Sequence, residues 1–549
     1  MELNFVKSTS ISVYNTDTQY YKQLIVDPVG RVRELALNRV QAIKAASAMT
    51  IISLLSKGFG FIREMALARE FGATFETDAY LIAIMIPQIL FASLGAAIAT
   101  TFIPLYTEAR LDKQYAVGSF VSTFFKIMVG VSAAIVTLAM VFTPQLISVI
   151  SPGFTGEVRE LSILLTRIMI PVIIFLAAGG VLKGILHSHN EFLIPVSVGV
   201  YQNIIIIAFI VLSGSVYGIE LVTVGSLIGF SMNFFVLLPK VKKLQIPLLS
   251  KLEPFHPLVK RGFYLMLPIL FGNMVLQLNK LVDRMLASNL EEGSISALNY
   301  AAKVYTLPHG IFVMAVATVL YPSFSQYATK GNIEKLKETM VSGLSSIVFL
   351  ILPMMAGAII LRDPIITFLF ERGEFDPRAT ERTAFALFFY SLGMLSISLR
   401  EIINRVFYSY QDTKTPIRIA TASVVLNIIL NLILVHPLGH GGLALGTSLA
   451  MTFGLVLLFI YVRKFIGPFG LSTFLANSSK MLIAALAMGV ILAAVHSVLS
   501  PELWAFWQLV VPSLLGGSAY LALCRIMKVE EMGIAKEILI KGINKLRGR

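Results

Sequence analysis

The stretch SLLSKGFGFIREMALAREFGATFETDAYLIAIMIP, from Ser53 to Pro87, places charged residues inside an otherwise apolar run. On a helical projection its polar positions fall within a sector of about 120°, and the apolar positions fall outside it. If such a helix crosses a bilayer, each charge costs roughly 2.5 kcal/mol or more unless it faces a partner or a watery cavity. Lys57, Arg63 and Glu64 therefore indicate a functional site, while snorkelling to a lipid headgroup is the simpler alternative for Arg63.

The composition is that of an integral membrane protein. The chain has 549 residues, of which 56% are hydrophobic and 14% charged, and its mean hydropathy is +0.79. Apolar runs of about 20 residues recur along the chain, which predicts membrane-spanning helices rather than barrel strands. The single cysteine, Cys524, and the lack of His or Cys clusters argue against disulfide, redox and metal chemistry.

The apolar runs predict an all-α polytopic protein with about fourteen spans. We predict a cytoplasmic extension at 1–40, an N-lobe of six helices at 41–240, a C-lobe of six at 241–465, a helix pair at 466–528, and a basic cytoplasmic tail at 529–549. About 30 of the 45 Lys and Arg lie in the termini and in the loops on their side, which predicts that both termini are cytoplasmic. The net charge of +14 then favours the anionic inner leaflet over nucleic acid as its partner.

An internal repeat at an offset of roughly 220 residues relates the two lobes. HSHNEFLIP (His187 to Pro195) matches YSYQDTKTP (Tyr408 to Pro416), and the charged sector recurs in the seventh span, where Asp283 and Arg284 correspond to Arg63 and Glu64. Each repeat holds an even number of spans, so the two copies have parallel orientation and should meet at a central interface.

Charged residues from both repeats are expected at similar depth around that interface. The predicted anion-binding cations are Lys57, Arg63, Lys280, Arg284 and Lys303, and the predicted charge-balancing or gating acids are Glu64, Asp78 and Asp283. Arg and Lys are the usual donors to phosphate groups. Structural ion pairing is the alternative for Arg63 with Glu64 and for Asp283 with Arg284, and capping of the second helix is the alternative for Asp78. No phosphate loop, nucleophile elbow or HExxH motif is present, so the sequence predicts a transporter rather than an enzyme.

Several motifs resemble the MurJ (MviN) lipid II flippase family of the multidrug/oligosaccharidyl-lipid/polysaccharide exporter superfamily. They are SKGFGFIREMALAREFG with TDAYLIAIMIP, SISALNYAAKVYTLPHGIFVMAVATVLYPSFS, SPGF, FERGEF and VFYSYQDTKTP. The resemblance implies fourteen helices, two six-helix lobes, a central cationic cavity, alternating access, and a last helix pair beside a groove for a polyprenyl tail. The family's essential cations fall on Lys57, Arg63 and Lys303, and its acidic position falls on Asp78. Where many members have arginines and an acid after the proline of the second helix, this chain has Phe91, Ala92 and Gly95, so we expect Lys280 or Arg284 to substitute.

The resulting prediction is a flippase that moves lipid II, a lipid-linked peptidoglycan precursor, from the inner to the outer leaflet of the bacterial cytoplasmic membrane. The predicted partners are lipid II or a related undecaprenyl-diphosphate glycolipid, membrane lipids and cell-wall synthesis proteins. No cofactor is expected beyond coupling to the membrane potential or a monovalent ion; the potential contributes about 2.3 kcal/mol per charge per 100 mV. The alternatives are a flippase for another polyprenyl-linked glycan, a cation-coupled drug exporter of the same superfamily, and a scaffold for cell-wall synthases.

Overall fold

The computed structural model describes residues 28–112, 116–499 and 503–533. The first helix begins at Pro28, before the predicted start of the N-lobe at residue 41. Residues 1–27 of the predicted extension and residues 534–549 of the predicted tail lie outside the described residues.

The described residues form an all-α membrane protein, as predicted. Nine of their helices are long and apolar enough to cross a membrane, and a tenth is added if one bent pair forms a single span. Gly439 has non-helical φ and ψ and breaks Lys414–Ile466 into two segments. The three remaining long helices have 44, 37 and 31 residues, and about 20 residues suffice to cross a bilayer. The structure therefore accommodates the fourteen predicted spans, numbered below in chain order.

The first six spans form the N-terminal half. Span 4 is interrupted between Met169 and Val172, and a short helix, Thr143–Ile150, precedes it. Spans 1 to 6 are Pro28–Phe71, Phe75–Leu111, Val117–Val141, Gly156–Ser188, Leu193–Leu212 and Tyr217–Lys243.

The next six spans form the C-terminal half, and two more follow. A π-helical turn, His309–Val313, lies within span 8, a 42° bend divides span 10 at Gly393, and a short helix, Arg362–Phe370, follows span 9. Spans 7 to 10 are Pro257–Ala287, Ser294–Thr329, Ile333–Ile360 and Pro377–Ser409; spans 11 and 12 are 414–438 and 440–466; spans 13 and 14 are Leu471–Val498 and Ala505–Ile526.

The packing of the helices follows the sequence repeat. Span 1 packs on the kinked helix that contains spans 5 and 6, as span 7 packs on the kinked helix that contains spans 11 and 12. Span 2 packs on span 4, as span 8 packs on span 10. The matched turns also agree: Asn190 and Gln411 both adopt positive φ. In each turn the next backbone N–H donates to the carbonyl five residues earlier, at 2.9 Å from Glu191 to Leu186 and 3.1 Å from Asp412 to Phe407. This is the Schellman geometry that ends a helix.

Span 7 crosses from the core of one half to the core of the other. Its first turns, including Leu258 and Met266, are buried with the N-terminal aromatic cluster around Phe102. Its last residues, including Leu286 and Ala287, pack in the C-terminal core. The charged segment Lys280–Arg284 therefore lies at the boundary between the halves.

Candidate functional site

A cavity of about 310 Å³ lies between the two halves, enclosed mainly by spans 1, 2, 7 and 8. Six charged side chains of the predicted constellation line it: Arg63, Glu64, Lys280, Asp283, Arg284 and Lys303. Four of these are cations and two are carboxylates, so the lining has a formal net charge of +2. The structure thus brings most of the predicted site residues together.

Glu64 contacts residues of both halves within this cavity. Its Oε1 lies 2.7 Å from Arg63 Nη2 and 3.3 Å from Lys303 Nζ. Its Oε2 accepts a hydrogen bond from the Asn299 amide at 3.0 Å. Only 4% of the Glu64 side chain is exposed, and a buried carboxylate requires such partners. Glu64 therefore forms ion pairs with one cation from each half.

Two of the cations that line the cavity, Lys303 and Lys280, have partly exposed side chains. The Lys303 side chain is 42% exposed. Lys280 is exposed and lines the cavity, and the contacts described for residues 28–112, 116–499 and 503–533 include no ion pair or hydrogen bond from it. These two lysines are therefore available to an anion in the cavity.

The acid and base of span 7 are each held by a neighbouring span. Asp283 Oδ1 accepts a hydrogen bond from Asn431 Nδ2 at 2.6 Å, and the same amide donates to Asn427 Oδ1 at 3.2 Å. Arg284 Nη1 donates to the backbone carbonyl of Ile295 at 3.1 Å, in the first turn of span 8. These contacts orient Asp283 and Arg284 beside the cavity without pairing their charges directly.

Asp78 lies outside the cavity lining and binds the other half of the molecule. Its Oδ2 accepts from the Gly293 N–H at 2.9 Å, and its Oδ1 accepts from the Ser296 N–H at 2.8 Å and from the Ser296 hydroxyl. Asp78 also lies in the first turn of span 2, as the alternative role at the start of that helix requires, but its hydrogen bonds go to the start of span 8, where free N–H groups and the helix dipole favour a carboxylate.

The turns at 72–74, 288–293 and 371–376 form one face of the protein, here called the short-turn face. Around Asp78 these turns contact one another and close this face. The Glu374 N–H donates to the Arg69 carbonyl at 2.9 Å, and the Phe75 N–H donates to Glu292 Oε1 at 2.9 Å. Gly293 has a φ of +81°, and a Cβ there would collide with the Ala73 carbonyl. Only glycine adopts this positive φ without strain and also leaves room for the Ala73 carbonyl.

Lys57 also lies outside this cavity, although the sequence predicts that it converges there with the other four cations. Its Nζ donates to the Gly310 carbonyl at 2.9 Å, within the π-helical turn of span 8. Lys57 precedes Arg63 by six residues, about 9 Å along a helix. Lys57 therefore joins span 1 to span 8 at a second level, further from the short-turn face.

Several polar residues of the site were not among those predicted. Tyr80, Gln88 and Tyr390 line the cavity, and Asn203 and Asn431 hold charged lining residues. The signal for the asparagines is present in the sequence, since each interrupts an apolar run in which an amide needs a partner. In the described ranges, no group of three or more His, Cys, Asp or Glu side chains could hold a metal ion.

The fold is that of transporters of the multidrug/oligosaccharidyl-lipid/polysaccharide exporter superfamily. One solved structure with this fold is an inward-facing multidrug resistance MATE family transporter, with a TM-score of 0.63 at 16% identity, covering 76% of this chain and 94% of that chain. At such low identity the likeness shows the fold alone.

Closer similarity identifies the family. The profile of the family "Lipid II flippase MurJ" matches residues 67–513. A probable lipid II flippase MurJ of Rickettsia prowazekii is 31% identical, covering 86% of this chain and 93% of the relative. One from Thermotoga maritima is 27% identical over 92% of this chain and 100% of the relative. A solved lipid II flippase MurJ in an inward closed conformation has a TM-score of 0.77 at 30% identity, covering 87% of this chain and 98% of that chain. This chain belongs to the MurJ family of lipid II flippases.

Proposed function

We infer that this chain is a lipid II flippase, a multi-pass membrane transporter and not an enzyme. The observation that carries the inference is the cationic cavity between the halves of a chain that belongs to the MurJ family. In the proposed site, Arg63, Lys280, Arg284 and Lys303 bind the diphosphate of the lipid-linked headgroup, and Glu64 and Asp283 limit the positive charge of the empty cavity. The lining charge of +2 complements a diphosphate, for which Arg offers a planar fork of donors and Lys a point charge.

The proposed mechanism is alternating access. Rocking of the halves would separate the short-turn face, break the contacts of Asp78 and Gly293, and expose the cavity to that side. With both termini in the cytoplasm, this movement carries the headgroup from the inner to the outer leaflet. A negative cell interior favours that direction by about 2.3 kcal/mol per charge per 100 mV, or about 4 to 5 kcal/mol for two charges. Coupling to the membrane potential or to a monovalent ion is part of this proposal.

The transport step is tested by depletion and complementation. Cells depleted of this protein, and lacking any redundant flippase, should accumulate lipid II in the inner leaflet, and the wild-type gene should restore outer-leaflet lipid II. Normal outer-leaflet lipid II in the depleted cells would contradict the function.

The site is tested separately in the same cells by charge-removing changes at Lys57, Arg63 and Lys303. Intact flipping in the Arg63 and Lys303 variants would refute the anion site while leaving the function standing. Lys57 is included because its contact with Gly310 holds span 1 against span 8, so its loss is expected to act on closure rather than on the cavity.

The other predicted partners and the orientation belong to this proposal as well. We propose that cell-wall synthesis proteins receive the flipped lipid, and that both termini face the cytoplasm. A reporter enzyme active only in the cytoplasm, fused to either terminus, should be active in both fusions. A flippase for another polyprenyl-linked glycan would restore a different lipid in the leaflet assay, and a drug exporter would leave lipid II unaffected.

A further inference from the structure

Asn203 is a buried amide in the apolar helix of span 5, and only 7% of the residue is exposed. Its Nδ2 donates to the Gly199 carbonyl at 2.8 Å and to the Ser56 carbonyl at 3.3 Å. Its Oδ1 accepts a hydrogen bond from Arg63 Nη1 at 3.1 Å. The amide therefore links the backbones of spans 1 and 5 to the guanidinium of a cavity cation.

Spans 1 and 5 are in close contact at the level of Asn203. A Cβ at Gly199 in span 5 would collide with the Ser56 hydroxyl, whereas a Cβ at Gly60 would make an ordinary van der Waals contact with Asn203 Nδ2, at 3.6 Å. Small side chains let two helices approach closely in a membrane. Gly199 and Ser56 thus allow span 5 to pack against the helix that carries Arg63.

The second half of the molecule uses an amide in the same way, with the opposite polarity. Asn431 in span 11 donates through its Nδ2 to Asp283 at 2.6 Å, and Asp283 corresponds to Arg63 in the repeat. An asparagine side chain has both an acceptor oxygen and a donor nitrogen. The same residue type can therefore hold a cation in one half and an anion in the other, which accommodates the sign reversal between the repeats.

We propose that Asn203 is a positioning residue that holds the Arg63 guanidinium in the orientation that binds the lipid-linked diphosphate; this inference rests on the proposed function. Glu64 holds one end of the guanidinium at 2.7 Å and Asn203 holds the other at 3.1 Å. A guanidinium has five N–H donors, so donors remain for an anion in the cavity. Without Asn203 the group is free to turn about Glu64 and pair with that carboxylate alone.

The test is a double-mutant cycle on the full chain, with pyrophosphate binding measured by calorimetry. Asn203→Leu removes the acceptor at similar volume and should weaken binding about tenfold, the effect of losing one hydrogen bond to a charged group. In the Arg63→Gln background the same change should have no further effect, because its effect passes through Arg63. Asn203→Asp keeps the shape but adds a negative charge that pairs with Arg63 and repels an anion in the cavity, so it should also weaken binding.

Asn477→Leu is the matched control, because Asn477 is a buried amide bonded to Glu531 outside the cavity. It should leave the affinity unchanged, and thermal unfolding of every variant reports any loss of stability. If Arg63→Gln weakens binding but Asn203→Leu does not, or if the effect of Asn203→Leu multiplies with that of Arg63→Gln, the positioning role is overturned. If wild type and Arg63→Gln bind pyrophosphate equally, the proposed anion site itself fails.

Discussion

Replacement of Asp78 by Asn should shift the protein towards a state that is open at the short-turn face. The carboxylate accepts hydrogen bonds from the Gly293 N–H, the Ser296 N–H and the Ser296 hydroxyl, all in the other half. Asparagine keeps one acceptor but turns an NH₂ group towards a donor. Loss of one hydrogen bond to a charged group costs about 1.5 to 3 kcal/mol. About 2 kcal/mol corresponds to a roughly 30-fold change in the equilibrium between closed and open states.

Pulsed electron spin resonance distances across the short-turn face measure this equilibrium. Spin labels at Thr155 and Glu381, which are exposed on opposite halves, require replacement of Cys524, which is buried. Asp78→Asn should add or enlarge a long-distance population. Asp363→Asn is the matched control, because this aspartate pairs with its neighbour Arg362 and is 59% exposed. An unchanged distance distribution in Asp78→Asn would refute the view that this cap stabilises closure.

Three further predictions concern the cavity, the short-turn face and the turn between spans 10 and 11. Lys280→Ala should weaken pyrophosphate binding several-fold in a filter-binding assay, whereas Lys126→Ala, which removes a contact to a backbone carbonyl outside the cavity, should not. Gly293→Ala should lower the unfolding temperature more than Gly331→Ala, because both have positive φ but a Cβ at Gly331 meets nothing within 4 Å; equal losses would contradict the close approach. Hydrogen bonds from Thr415 lower the pKa of Asp412 below its ordinary value of 3.8. Its stabilising contribution is therefore present above about pH 4 and lost as the pH falls through the folded pKa, and Asp412→Asn should remove this part of the acid dependence of unfolding.

The number of spans and the repeat relation between the two halves could be predicted because both produce recurring patterns in the sequence. A span is an apolar run of sufficient length, and the repeat is visible in matched turns such as His187 to Pro195 and Tyr408 to Pro416. Charges inside such runs indicate a site because hydrocarbon excludes them. By these arguments Arg63, Glu64, Lys280, Asp283, Arg284 and Lys303 were predicted together, and they line one cavity.

The stretch from Ser53 to Pro87 determined by itself that the chain crosses a membrane with charge on one face of its first helix. The pairing of Arg63 with Glu64 was foreseeable from their adjacency, but only the tertiary structure decided what else those charges contact. Helical periodicity places Lys57 and Arg63 within one sector of about 120°, but the Gly310 carbonyl that Lys57 contacts and the Asn203 amide that Arg63 contacts are 253 and 140 positions away, respectively. Asp78 likewise finds its donors 215 and 218 residues further along the chain. Local sequence specifies the face of a helix, whereas the packing of distant helices selects which side chain enters the cavity and which one joins the two halves.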